Sequence, residues 1–164
     1  MSAAAGSTKE LRDHVARLLS WSDAHVSFDD AVADLPASAR GGVPKGLPYS
    51  PWQLVEHMRL TQADILEFCV SADYREKEWP KDYWPATAEP PNARAWSASI
   101  TQFKKDRRAL AQLATDPGRD LLGQVPAGTG QTLLREIILA ADHAAYHVGE
   151  LVVVRRLLGH WGGG

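Results

Sequence analysis

The chain has 164 residues, 45% of them hydrophobic and 23% charged, with a formal charge of −2. That length builds one domain with a real core and is short for two, so residues 1–164 are read as a single domain. The slightly acidic balance argues against a dedicated nucleic-acid or anionic-membrane surface, and the lone cysteine, Cys69, excludes an internal disulfide.

Residues 1–7 lack the basic and hydrophobic regions of a signal peptide and are expected to be disordered. Helical periodicity then predicts a helix over 8–22, with Leu11, Val15, Leu18 and Ser22 on one face and His14 at its edge. Ser27 reads as the N-cap of a short helix reaching about Leu35, with Asp30 at the acidic third position and Pro36 as the stop. Glycines at 41, 42 and 46 and prolines at 44 and 48 make 37–49 a loop. The next start signal is the clearest in the chain. Ser50 is the N-cap, Pro51 takes the first helical position and Gln53 closes a capping box. The inward face of this helix holds Leu54, Met58, Thr61, Ile65 and Phe68, and His57 lies within about 60° of Leu54.

Residues 71–91 form an irregular stretch with Tyr74, Trp79, Tyr83 and Trp84 among its prolines. A loop of that length is expected to lie folded over the core as a candidate lid, and the acidic balance disfavours a platform for stacking bases. A helix over 92–115 follows, with Trp96, Ile100, Phe103, Leu110 and Leu113 as core candidates, broken by Asp116-Pro117-Gly118. The last helix, over 131–158, is about 42 Å long, with Arg155 and Arg156 at its dipole end and Gly159 as a left-handed stop. No repeat and no strand-period segment appears, so the fold class is all-α, a four-helix bundle whose loops are long enough for crossover connections. No 18 apolar residues run unbroken, which with the single cysteine leads to the expectation of a cytoplasmic protein without a membrane span.

His143 and His147 are four apart and stand one turn above the other. Glu136, Leu139, Ala140, Glu150 and Val154 fall within about 60° of His143, so this face is mostly apolar and turned inward. Two such imidazoles can grip one metal ion, and His57 from a facing helix could converge with them, leaving a position for water or substrate. Each residue also has a plainer reading. His57 fits a satisfied core histidine, and the H-x-x-x-H pair lacks an E-x-x-H or H-E-x-x-H signature to sharpen it. Glu150 is either a base or ligand-orienting group, or a buried-edge carboxylate paired with an arginine. Asp142 is expected at the surface or in an interhelix contact, His25 in packing or capping, and Cys69 in the core.

An inward histidine within S-P-W-Q-L-V-E-H-M-R is joined to H-A-A-Y-H-V-G-E and the tail L-V-V-V-R-R-L-L-G-H-W. This combination resembles the DinB-like family of four-helix-bundle proteins over nearly the whole chain. The resemblance implies a bundle with crossover connections, a homodimer, and His57, His143 and His147 as ligands of one divalent metal (Zn²⁺, Ni²⁺, Fe²⁺ or Mn²⁺). It implies an enzyme in which the metal activates a low-molecular-weight thiol or water for transfer to, or hydrolysis of, a small molecule. The alternative is a non-catalytic metal- or small-molecule-binding stress-response bundle. Many members carry Gln where this chain has Glu150, whose carboxylate adds negative charge near the metal and makes it the candidate catalytic base.

Overall fold

A computed structural model describes residues 2–162, with side chains described from Thr8 onward. The helices are α1 (Ser2–Leu18), α2 (Phe28–Val32), α3 (Pro51–Val70), α4 (Ala95–Thr115) and α5 (Leu133–Leu157), with a 3₁₀ turn at Ala37–Ala39. Among the described residues there is no strand, only an isolated bridge between Gln124 and Thr132, and the fold is all-α.

The helix starts follow their local chemistry. At α3 the Ser50 hydroxyl accepts from Gln53 N and the Gln53 side chain accepts from Ser50 N, both at 3.1 Å, so two otherwise orphaned donors are satisfied reciprocally. Ser27 Oγ accepts from Asp30 N at α2 and Thr132 Oγ1 from Arg135 N at α5. Gly159 sits at φ 74° just past the end of α5, a conformation that costs glycine little.

Several bounds and faces differ from expectation. Helix α1 begins at Ser2, and Met1 lies outside the described residues. It also ends at Leu18 rather than at 22. Val15 within it and Leu19 just past its end are buried, and Leu11 is 52% exposed. Beside it, the Arg12 guanidinium donates to the carbonyls of Ala114, in the last turn of α4, and of Asp116 and Arg119 in the turn that follows. Helix α2 stops at Val32, with Asp34 in the left-handed region at φ 54°. Arg155 and Arg156 do lie in the last turn of α5, and Arg155 is in addition buried. It donates to Ala31 O at 2.7 Å and to His160 O, and burial lowers its pKa.

Helix α3 packs against α4 and α5, and α1 packs against α4 and α5. The core falls into two clusters along the helices. One gathers Phe28, Trp52, Leu54, Met58, Trp96, Phe103 and Leu151, and the other Val15, Leu19, Ile65, Cys69, Leu110 and Ile137. Burying each large side chain of this kind contributes about 1.5–3 kcal/mol. By length and composition α5 also meets the requirement for a bilayer span, so the lack of an unbroken apolar run does not decide that question. In this structure its inner face is covered by the other helices.

The connection 71–94 runs back along α3 as a strap. Lys77 binds Asp64 and Glu67, the Tyr83 hydroxyl donates to Asp64, Trp84 stacks on Tyr49, and Ser50 donates to Ala88 O. Gly41 lets the strap lie close, because a Cβ there would collide with Glu89 Cγ and sit 3.1 Å from Glu89 Cα.

Candidate metal centre

Capping fixes the register of α3 and α5, and that register turns three histidines towards one another. His57 is 2% and His147 7% exposed, and His143 is half-buried. One ring nitrogen from each of His57, His143 and His147 lies within 4.8 Å of the other two, and such a set could hold a metal ion. His143 Nε2 and His57 Nε2 are 3.0 Å apart. Bonds of about 2.1 Å in a tetrahedron put ligand nitrogens about 3.4 Å apart, so the set closes on one ion with small side-chain shifts.

The remaining nitrogens are held by the protein. His57 Nδ1–H donates to the Tyr83 carbonyl at 2.8 Å, which leaves Nε2 as the lone pair on the cluster side. His147 Nδ1–H donates to Glu150 Oε2 at 2.6 Å, which frees its Nε2 in the same way. Without a metal, the 3.0 Å contact requires His143 Nε2–H to donate to His57 Nε2. Burial, reinforced by neighbouring imidazoles, pushes His57 down to about 4 and His143 to about 3. Both are therefore neutral near pH 7, the form that ligates metals. The donor set, its neutral state and its anchored tautomers all fit a divalent cation.

The strap completes the surroundings. The Trp84 ring stacks on His57 with centroids 3.8 Å apart and planes 5° from parallel, and Tyr49 stacks on the far face of Trp84 at 4.1 Å. The column Tyr49–Trp84–His57 fixes the imidazole plane and shields one face of it from water. The strap does lie over the core as the aromatic composition suggested.

Other candidates fall as follows. Glu150 pairs with His147 rather than with an arginine, and its side chain is 33% exposed. Asp142 is at the surface, and His25 is exposed, with Nδ1 against Val26 O. Cys69 is buried, its thiol pushed up to about 12 by that burial, so it is a core residue. Asp64 was missed from sequence. It lies seven residues after His57 on α3, and it accepts from the Tyr74 and Tyr83 hydroxyls and from Lys77 Nζ, which seats the strap. The signal for it is a carboxylate on the inward face of an amphipathic helix near a tyrosine-bearing loop. The chain matches no family model, no curated protein and no solved structure.

Proposed function

We propose that this is a DinB-like four-helix bundle with crossover connections, and that His57, His143 and His147 hold a divalent metal (Zn²⁺, Ni²⁺, Fe²⁺ or Mn²⁺). On this reading it is a cytoplasmic enzyme that transfers a low-molecular-weight thiol to, or hydrolyses, a small electrophilic molecule. The observation that carries it is the convergence of three imidazoles whose outer nitrogens are already engaged.

The crossover reading is supported by helix direction. Trp52 and Trp96, each near the start of its helix, share one core cluster, while Cys69 and Leu110, each further on, share the other. That pattern suits a parallel α3–α4 pair, and a parallel pair needs a connection running the length of the helices, as 71–94 does. The DinB-like assignment is supported by the two histidine-bearing motifs.

A cation held by these ligands supplies a Lewis acid that makes a thiol or water nucleophilic at neutral pH. The chain's own residues do the rest. Tyr83 O and Glu150 fix the tautomers, and Trp84 keeps the His57 ring in plane and dry. Glu150, partly open to solvent and one turn after His147, is placed both to orient that ligand and to accept a proton. Exposed Ile138, Tyr146, Val153 and Leu157 on α5 suit a homodimer. The partner set is then a small-molecule substrate, with neither nucleic acid nor membrane.

The test is elemental analysis of untagged protein beside His57→Ala and His143→Ala. About one metal per chain, lost in both variants, is expected. Absence of metal even after slight excesses of Zn²⁺, Ni²⁺ and Mn²⁺ would overturn the metalloenzyme reading.

A further inference from the structure

The four aromatic rings of the strap are not used alike. Tyr74 and Tyr83 donate to Asp64 and Trp84 stacks on His57, and all three are partly covered. Trp79 is 67% exposed, although its ring lies beside two others, with centroids 6.3 Å from His57 and 5.6 Å from Tyr83. The backbone around it is held in a turn. Glu78 N donates to Asp82 Oδ2 and Asp82 N to Glu78 O, both at 2.9 Å, and Tyr83 N donates to Pro80 O. A hydrogen-bonded turn thus presents an indole that the fold does not bury.

Tyr146 repeats the arrangement from α5. It is 64% exposed, and its ring meets that of His147 edge-on at 4.9 Å. Among the described residues the exposed aromatics are Trp21, Trp79 and Tyr146, so two of the three stand against histidines that face each other. A single exposed apolar side chain calls for no explanation. Two large rings, brought from separate elements to neighbouring imidazoles, do.

We propose that Trp79 and Tyr146 form an aromatic rim on this centre and select a substrate carrying a flat aromatic group; this rests on the reading of the three histidines as a metal site. A ring–ring contact gains about two- to twelvefold in affinity beyond the apolar area it covers, which a saturated group does not share. A cationic group also suits a ring face, but imidazoles are neutral ligands and leave a bound ion its charge, which repels another cation. Holding the ion falls to the histidines, and the rim acts on the choice of substrate alone.

The experiment titrates the full chain, loaded with Zn²⁺, by calorimetry with acetohydroxamate, cyclohexanecarbohydroxamate and benzohydroxamate, which share one metal-chelating group. Benzohydroxamate is expected to bind about fivefold more tightly than its saturated counterpart. Trp79→Leu and Tyr146→Leu each keep an apolar side chain and remove a ring. Each should reduce the preference and the double variant should abolish it, with Zn²⁺ content and acetohydroxamate affinity unchanged. Both side chains are exposed, so the variants should fold, and size-exclusion chromatography would follow their oligomeric state. Acetohydroxamate binding without an aromatic preference, or a preference that survives in the double variant, overturns the rim and leaves the metal site standing. A protein that takes up no Zn²⁺ and binds none of the three overturns the metal reading and the rim with it. A double variant that changes its oligomeric state with the preference intact assigns the rings to an interface between copies and also overturns the rim.

Discussion

Replacing Glu150 separates its orienting role from a merely structural one. Its Oε2 accepts from His147 Nδ1–H at 2.6 Å, a bond that fixes the tautomer and the orientation of the ring. Loss of such a partner weakens metal binding about 10–100-fold, or about 1.4–2.8 kcal/mol. Gln keeps a carbonyl acceptor of the same shape but loses the charge, and a neutral bond is about half as strong. Glu150→Gln should therefore lie near the tenfold end and Glu150→Ala near the hundredfold end. The Glu150 side chain is 33% exposed, so neither variant should unfold the protein, and circular dichroism would check this. The assay is competition for Zn²⁺ against a chromogenic chelator at pH 7.5. Two variants that bind Zn²⁺ as tightly as the parent, or Gln weaker than Ala, would refute the orienting role.

Two further predictions concern stability. His57 and His143 titrate at about 4 and about 3 in the fold, below the ordinary value of 6.5, so the native state keeps them neutral while the unfolded chain takes up protons first. Their contribution is full above pH 6.5 and is lost as pH falls towards 4 and then 3. For His57 it reaches about 3 kcal/mol at most. Urea unfolding in chelator across this range should show the loss, and His57→Gln/His143→Asn should flatten it. A parent profile no steeper than the double variant's would count against it. Gly41→Ala drives a Cβ into Glu89 Cγ and to 3.1 Å from its Cα, so about 1–3 kcal/mol should be lost. Glu89→Ala should restore part of that, because it removes Cγ and leaves the close Cα. Unchanged thermal stability in Gly41→Ala would show that the strap has room to move there.

Much of the helical framework was legible because its signals act within one turn. The Ser50–Gln53 box, the Ser27 cap and the Gly159 stop each work through groups a few residues apart. The same locality made His143 and His147 readable as a pair, since four residues of α5 return to one face.

What joined them to His57 is a contact between residues 86 apart in sequence, and the Tyr83 anchor of His57 spans 26. No local preference encodes such separations. They depend on how α3 and α5 pack and on where the strap is seated by Asp64. The errors had the same origin. Periodicity grouped Leu11 with Val15 on one face, yet Leu11 is exposed while its neighbour Arg12 reaches the carbonyls of Ala114 and Asp116. Arg155 was readable as a charge at the α5 dipole end, but not its burial, which rests on the backbone oxygens of Ala31 and His160. Sequence alone determined the helical class, most helix starts and the residue types of the candidate metal site, because those follow from neighbours along the chain. Only tertiary packing decided which imidazoles meet, which tautomers they hold and which carboxylate seats the strap, because those depend on groups brought together from distant parts of the chain.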